Sequence, residues 1–350
     1  MHIPDGYLSP STCAVAYAAA APFWFVASRK VARMLHSKTV PLISVVSAFC
    51  FVVMMFNLPL PGGTTGHAVG MGIAAIVLGP WAAIMAISIA LFVQALFFGD
   101  GGITAFGANA FNMAIVGSLV AYGVYRLIAG NSELTAQRRV IAAGIAGYLA
   151  INVSAFVASL EFGIQPILFH DASGAPLYAP YSLGIAVPAM MLGHVTFAGL
   201  AELLITAGIV AYLQRSDVSL LARTAPGAAT GTATWRATRK LWAGLAGLMI
   251  ASPLGLLAAG TAWGEWGAED FANPATRAAI ANASGNIAPP SAPPAGLEKL
   301  AGIWTAPFPD YAPAFLHSEE FGYILSALMG GGLIILIFLG ASALTARSNA

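Results

Sequence analysis

The chain has 350 residues, of which 58% are hydrophobic and only 8% are charged, and its formal net charge is +1. A soluble domain usually carries about 25% charged residues, so this composition excludes a water-soluble globular protein. The sequence contains no basic patch of the kind that binds nucleic acid. Long apolar runs with few charges are typical of membrane-spanning helices, and we therefore predict an all-α integral membrane protein in contact with the lipid bilayer.

About nine apolar helical segments follow one another, seven in the N-terminal part of the chain and two in the C-terminal part. The third is short and rich in glycine (HAVGMGIAAIVLG), which predicts either a short helix buried among the others or a re-entrant element. The segments cover residues 13–28, 41–58, 67–79, 81–98, 104–129, 140–160, 181–213, 241–259 and 321–344.

The basic residues predict how the segments are oriented. With nine crossings, all Lys and Arg residues except Arg277 and Lys299 fall on one side, which the positive-inside rule makes the cytoplasm. We therefore expect the N-terminus outside and the C-terminus in the cytoplasm, in a multi-pass protein of the bacterial cytoplasmic membrane. The residues before the first segment include an acid but no Lys or Arg, whereas a signal peptide carries positive charge there. The first segment is therefore not predicted to be a cleaved signal peptide, and Met1 is expected to remain.

Composition divides the chain into two predicted modules. Residues 1–213 form the larger transmembrane module, and residues 241–350 form a second one with two transmembrane helices. The polar, basic stretch 214–240 is predicted to be a cytoplasmic linker. The stretch 260–320, rich in proline and acids, is predicted to lie outside, either as a small folded unit or as a loose loop.

No motif of a soluble enzyme occurs in the chain. It lacks HExxH, GxSxG, a paired-cysteine zinc spacing and the GxxxxGK[ST] loop, so it is not predicted to be an enzyme or to hydrolyse ATP itself. Cys13 and Cys50 both lie within apolar runs, and we interpret them as small core residues.

The N-terminal dipeptide can chelate a metal ion if its amine is free. The Met1 amine and the His2 amide nitrogen close a five-membered ring, and the amide and the His2 Nδ1 close a six-membered one. Pro4 has no N–H, so amide ligation cannot continue past Ile3 and a fourth ligand must come from elsewhere. Planar nitrogen coordination is typical of Ni(II) or Cu(II). The alternative is a solvated second residue without a role.

His67 is the predicted fourth ligand. It follows PLPGGTTG on the same predicted side as Met1, and the glycines there allow close backbone approach. The alternative is a histidine that only caps a helix or faces water. His170 and His317 lie in outer loops without a comparable setting, and His36 lies among basic cytoplasmic residues.

Polar side chains at the outer ends of the fourth and fifth segments are candidates to hold these imidazoles. The sequence QALFFGDGGITAFGANAFN contains Gln94, Asp100, Asn109 and Asn112. A metal-bound imidazole usually passes its other N–H to a carboxylate or carbonyl, which any of the four can offer. The alternative is a tight GDGG turn followed by asparagines that bond between helices.

Two ionisable residues, His194 and Glu202, lie inside the seventh segment. Such residues are costly in a membrane and are usually functional. A contact between Glu202 and a partner subunit is an equally simple interpretation, and neither residue is predicted at the metal.

Three motifs together resemble a known family: MHIPDGYLSP, the GTTGHAVG run, and ALFFGDGGITAFGANAFNMA. Over residues 1–213 the chain is similar to the substrate-binding M subunit of energy-coupling-factor (ECF) nickel/cobalt transporters, NikM and CbiM. The resemblance implies a square plane of four nitrogens, from the Met1 amine, the His2 amide and imidazole, and His67, that binds Ni²⁺ or Co²⁺ as the transported substrate. It also implies partners, namely a transmembrane T subunit and cytoplasmic ATPase subunits.

The C-terminal module is similar to the small N component of the nickel branch, here fused to the M subunit. Its sequence Pro294-Ala295-Gly296-Leu297-Glu298 resembles the PDGLE signature of that component, with alanine in place of aspartate.

The expected function is capture of nickel or cobalt for ATP-driven import. The main alternative is a stand-alone secondary permease for divalent metals. A permease would need several intramembrane carboxylates or inverted repeats, whereas the chain offers mainly Glu202 and no visible repeat. A membrane hydrolase would need an open metal position and a general base, which a closed plane of four nitrogens does not provide. The sequence does not choose nickel over cobalt.

Overall fold

Seven long apolar helices dominate the structure. The computed structural model describes residues 1–34, 39–224, 235–258, 260–313 and 315–348. Helices long and apolar enough to cross a membrane, counted over these ranges, are Pro10–Met34, Pro80–Phe98, Phe106–Ala129, Gln137–Leu168, Leu183–Ser216, Thr238–Leu257 and Glu319–Thr345. The predicted helical membrane fold is confirmed at this level. The count of nine segments and the sides on which the termini lie stay predictions.

Wider π-helical turns interrupt two of the long helices, at Ala110–Val116 and His194–Ala198, and a third such turn, Gln94–Phe98, ends the helix that begins at Pro80. Such turns are rare and occur often at functional sites. The elements in chain order are α1 (Pro10–Met34), α2 (Val40–Met54), β1 (Leu58–Leu60), β2 (Thr64–Gly66), α3 (Met71–Leu78), α4 (Pro80–Val93), α5 (Phe106–Asn109), α6 (Gly117–Ala129), α7 (Gln137–Leu168), α8 (Leu183–Gly193), α9 (Gly199–Ser216), α10 (Ser219–Ala222), α11 (Trp235–Ala251), α12 (Pro274–Ala283), α13 (Ala295–Leu300) and α14 (Glu319–Ser348).

The centre of the bundle contains α2, α3 and α4. All eight residues of α3 are buried, and at about 1.5 Å per residue this helix is far too short to span a bilayer. The third apolar segment is therefore a short buried helix. The 15-residue α2 is also shorter than a usual span, and its Phe51 packs against Gly330 of α14, where any side chain would clash with the ring.

The outer surface of the bundle is apolar. On α7, exposed large side chains recur every three or four residues, which places them along one face of the helix. A stripe of this kind on a soluble protein would need a cover, whereas here it fits contact with lipid. The stripe consists of Ile141, Ile145, Leu149, Val153, Phe156 and Leu160.

A short antiparallel hairpin precedes His67 and departs from the all-α prediction. Strands β1 and β2 pair Leu58 with Gly66, and Gly62 and Gly63 make the turn with φ of 88° and 80°. These positive φ values favour glycine. The hairpin also bridges to Ala262 of the C-terminal module.

The stretch 260–320, which follows α11, is folded over its described residues. Two short 3₁₀ turns and the helices α12 and α13 bury large apolar side chains, and the stretch bonds to the first module where the Gly296 N–H donates to the Leu177 carbonyl at 2.7 Å. Of the two alternatives drawn from the sequence, the small folded unit is correct. Its buried residues include Trp263, Trp266, Phe271, Ile280 and Leu297.

The predicted linker 214–240 is partly helical at both ends. α9 continues to Ser216, and α10 buries Leu220 and Leu221 because it packs against the end of α3. The helix α11 begins at Trp235. The middle of the predicted linker, 225–234, lies outside the described residues. So does His36, which was not a candidate ligand.

Phe271→Ala should destabilise the folded stretch 260–320. Phe271 is fully buried, so the loss of its ring leaves a cavity that costs about 3–5 kcal/mol. Chemical unfolding of the full chain in detergent, followed by tryptophan fluorescence, measures the change. The exposed Ile303→Ala is the control and should change the free energy of unfolding by no more than about 0.5 kcal/mol. Equal stability of the two variants would contradict burial of Phe271.

Candidate metal centre

The N-terminal peptide is held by backbone and side-chain bonds at one end of the helix bundle. The Ile3 N–H donates to Asn109 Oδ1 at 2.7 Å, and Asn109 Nδ2 donates back to the Ile3 carbonyl at 3.0 Å. The Gly102 N–H donates to the same carbonyl at 2.8 Å. The Asn109 side chain thus fixes the backbone of Ile3, and its hydrogen bonds go to the peptide and not to an imidazole.

The GDGG turn and the two residues after it bind the same peptide at Asp5. The Asp5 carboxylate accepts bonds from the N–H groups of Ile103 at 3.1 Å and Thr104 at 2.7 Å, and from the Thr104 hydroxyl. A Cβ on Gly102 would clash with the Asp5 backbone nitrogen, so only glycine fits where the turn meets the peptide. The sequence placed the turn correctly but gave no sign of Asp5.

Two buried imidazoles meet at this end of the bundle. His67 Nε2 lies 3.2 Å from His2 Nδ1, and the two residues are 5% and 2% exposed. His67 Nδ1 lies 3.0 Å from the Ala68 carbonyl, which can only accept, so Nδ1 carries the proton and the Nε2 lone pair faces His2. The two histidines predicted as ligands therefore lie side by side.

Asp100 holds the other imidazole. Its Oδ1 lies 2.9 Å from His2 Nδ1, and its Oδ2 accepts bonds from the Tyr311 hydroxyl at 2.6 Å and from Gln94 Nε2 at 3.1 Å. Gln94 Nε2 also donates to the Tyr311 oxygen at 2.9 Å. Asp100 therefore contacts His2, Gln94 bonds Asp100, and Tyr311 is a further partner from the C-terminal module. Their support of a bound metal stays a prediction.

The protein environment selects the charge states of these groups. Burial and the neighbouring His2 lower the pKa of His67 well below its ordinary value, which keeps its Nε2 unprotonated. Burial alone would raise the pKa of Asp100, but His2, His67 and the Tyr311 hydroxyl together outweigh it, and the net shift is downward. Burial and the Asp100 carboxylate raise the pKa of Tyr311, so its proton stays on the hydroxyl.

The Met1 amine faces an acid from the C-terminal module. It donates to Glu265 Oε1 at 2.7 Å, and the Met1 side chain is almost fully buried. Sequence reasoning missed Glu265, although an acid between two tryptophans (WGEWG) is a setting that favours partial burial. Nothing local in the sequence connects this acid to a residue 264 positions earlier.

A cavity of about 250 Å³ lies in front of the imidazoles and opens between the two modules. Its wall contains both histidines, three carboxylates and the hydroxyl of Tyr311. Carboxylates at a cavity mouth attract cations. The lining includes His2, His67, Asp100, Glu265, Asp310 and Tyr311.

Three other residues from the sequence lie outside this arrangement. Asn112 was a candidate to support an imidazole, but its Nδ2 donates to Glu161 Oε2 at 2.7 Å on the neighbouring α7. His194 bonds the Met190 carbonyl through Nδ1 at 2.8 Å. Glu202 is fully buried and bonds the backbone after His67, so the alternative of a surface contact with a partner is wrong.

Side chains alone do not form the centre. The described ranges contain no group of three or more His, Cys, Asp or Glu side chains arranged to hold a metal ion. His170 and His317 are exposed and lie apart from the pair, as expected. A metal site here would need the backbone nitrogens of the N-terminal dipeptide in addition to the two imidazoles.

Two family profiles match most of the chain. One, described as the cobalt uptake substrate-specific transmembrane region, CbiM, matches residues 2–220. This chain belongs to the NikM/CbiM family of nickel and cobalt transport proteins. The other profile, the PDGLE domain, matches residues 238–347 and confirms the fused NikN-like part despite the alanine at position 295.

Relatives along the full length carry the same fusion. The chain is 58% identical over 353 residues to the fused nickel transport protein NikMN of Rhodobacter capsulatus, with 100% of both chains covered. It is 43% identical to the probable fused nickel transport protein LarMN of Lactiplantibacillus plantarum, with 97% of both covered. A crystal structure of a truncated transition metal transporter is 51% identical, covers 61% of this chain and 99% of that chain, and has a TM-score of 0.58.

Tyr311→Phe should weaken nickel binding by about tenfold or more, the usual effect of removing a partner that orients a metal site. The change removes the hydroxyl that holds Asp100 and leaves the ring in place. Isothermal titration of the full chain with Ni²⁺ measures the loss. Tyr323→Phe is the matched control, because Tyr323 lines the same cavity but its hydroxyl bonds neither Asp100 nor Gln94. Equal affinities for the two variants would contradict a role for Tyr311.

Proposed function

We propose that the chain binds Ni(II) or Co(II) in a square plane of four nitrogens and delivers the ion for import. The ligands are the Met1 amine, the His2 amide nitrogen and Nδ1, and His67 Nε2. The observation that carries the proposal is the buried His2–His67 pair, with Nδ1 and Nε2 3.2 Å apart and the Met1 amine held nearby.

The distance between the imidazole nitrogens supports this ligand set. The N-terminal dipeptide fills three corners of the plane, so the fourth ligand must lie next to His2 Nδ1. Two neighbouring ligands about 2 Å from one ion lie about 2.8 Å apart. The observed 3.2 Å separation of His67 Nε2 and His2 Nδ1 needs only a small closure to reach that value.

Metal binding then requires three proton changes. The Met1 amine gives up the proton that it shares with Glu265, and the metal takes the place of the proton on the His2 amide nitrogen, which is released to water. His2 must free Nδ1, which now faces Asp100. His2 Nε2 is buried and has no bonding partner among the described residues, so it can take up that proton and the ring can stay neutral.

The plane selects the class of ion. Planar nitrogen coordination suits nickel and copper better than zinc, magnesium or calcium, and selection against copper must come from availability. Two relatives that match nearly the whole of this chain have nickel transport in their names. We therefore propose nickel as the first substrate to test, with cobalt second.

We further propose that the chain is the substrate-specific component of an ECF transporter in the bacterial cytoplasmic membrane. The sequence has no GxxxxGK[ST] loop, so the energy for uptake would come from cytoplasmic ATPase subunits through a transmembrane T subunit. The family resemblance of the three motifs supports the same partners.

Blocking the N-terminal amine should abolish tight nickel binding. Acetylation of Met1, or one alanine inserted between Met1 and His2, destroys the two-ring chelate, and the affinity should fall at least about tenfold, or 1.4 kcal/mol. Visible spectra and isothermal titration of the full chain report the loss. A tag at the C-terminus is the control, because Tyr323 near the start of α14 lines the cavity and the helix runs about 37 Å further to Ser348. Native affinity in the acetylated chain would refute the ligand set.

Uptake should depend on ATP hydrolysis by the partners. Vesicles that contain this chain with T and ATPase subunits should accumulate nickel with ATP and stop when the catalytic sites of the ATPases are disabled. The measurement is ⁶³Ni²⁺ uptake against time. Full-rate uptake by the chain alone along a nickel gradient would instead support the secondary permease.

A further inference from the structure

A buried carboxylate lies directly behind His67. Glu202 of α9 is 0% exposed, and its Oε2 accepts bonds from the N–H groups of Val69 at 2.9 Å and Gly70 at 2.8 Å. Its Oε1 accepts from the Gly72 N–H at 3.0 Å and faces the Thr206 hydroxyl at 3.5 Å. Every partner is a donor, so the acceptor-only carboxylate satisfies them all.

One peptide group joins this carboxylate to the histidine. The N–H of Val69 donates to Glu202, and the carbonyl on the other side of the same peptide unit, that of Ala68, accepts from His67 Nδ1 at 3.0 Å. Hydrogen bonds in such a chain polarise one another. These linked hydrogen bonds fix the tautomer of His67 and increase the electron density on its Nε2. A direct carboxylate–histidine bond has the same effect at many metal sites.

Glycines let the carboxylate come this close. A Cβ on Gly72 would lie 2.5 Å from Thr206 Oγ1, and a Cβ on Gly147 of α7 would lie 2.7 Å from the same atom. Gly70, with φ of 77°, turns the chain into α3 so that three N–H groups point at one side chain. The positive end of the short helix α3 adds to the stabilisation of the charge.

We propose that Glu202 is a positioning residue for the metal ligand His67, acting through the Ala68–Val69 peptide. This inference rests on the proposed function, because it takes His67 to be a nickel ligand. It gives a role within the metal site to an intramembrane acid that touches neither imidazole.

The test compares Glu202→Gln in two backgrounds, with Ni²⁺ titrated into the full chain. Glutamine keeps the volume but replaces one acceptor oxygen by a donor that opposes the backbone N–H groups. In the otherwise native chain we expect nickel affinity to fall about 10–100-fold, with a shifted visible band. In a His67→Ala chain supplied with free imidazole, the fourth ligand no longer depends on the peptide, and the same change should alter affinity by no more than about twofold.

The matched control is Glu161→Gln, which makes the same chemical change in a membrane helix at a residue that bonds Asn112 and not the His67 loop. It should leave nickel affinity within about twofold of native. If Glu202→Gln does not purify as folded protein, Glu202→Asp replaces it. Aspartate keeps the charge but withdraws both oxygens by one methylene, and should give a smaller loss in the same direction.

Three outcomes would overturn the inference alone: unchanged affinity in Glu202→Gln, an equal loss in both backgrounds, or an equal loss in Glu161→Gln. An equal loss in both backgrounds would mean that Glu202 supports the fold and not His67. Native affinity in the His67→Ala chain without imidazole is a different result, because it would refute the proposed ligand set and this inference together.

Discussion

The centre depends on how the third residue is bound. Both backbone hydrogen-bonding groups of Ile3 are used, its N–H by Asn109 and its carbonyl by Asn109 and Gly102. Fixing the backbone of one residue costs about 1–2 kcal/mol in conformational entropy. Because these bonds offset that cost within the protein, the nitrogens of the preceding two residues are already ordered. Under the proposed function an incoming ion has little of the peptide left to order, so more of its binding energy contributes to affinity.

The two modules divide the electrostatics of the centre between them. The first module contributes Asp100 beside His2, and the second contributes Glu265 beside the Met1 amine. Under the proposed function Glu265 accepts an N–H bond from the bound Met1 amine, and both carboxylates balance the charge of a divalent ion. A buried charge needs such partners. The fused module therefore contributes side chains to the centre, and it also lines the cavity in front of the imidazoles.

Local motifs predicted the long helices and the meeting of His2, His67 and Asp100, because each motif lies close to the element that positions it. Glu265 and Tyr311 could not be predicted, since their place depends on the packing of a distant unit whose fold the sequence left open. Asn112 failed for another reason. It lies in the π-helical turn Ala110–Val116, which rotates it relative to Asn109, so that one asparagine binds Ile3 and the other binds Glu161.

The binding of the N-terminal peptide has a consequence for biosynthesis. Residues 1–3 are made before their partners, because Asn109 follows Ile3 by 106 residues and Glu265 follows Met1 by 264. At about 5–20 residues per second, the ribosome needs on the order of ten seconds or more to supply the last of these partners. Under the proposed function the dipeptide is, during that time, a chelator with no buried pocket around it. The ordered centre forms only after the second module has been inserted and folded, so the nascent chain has no finished site in which to trap an ion.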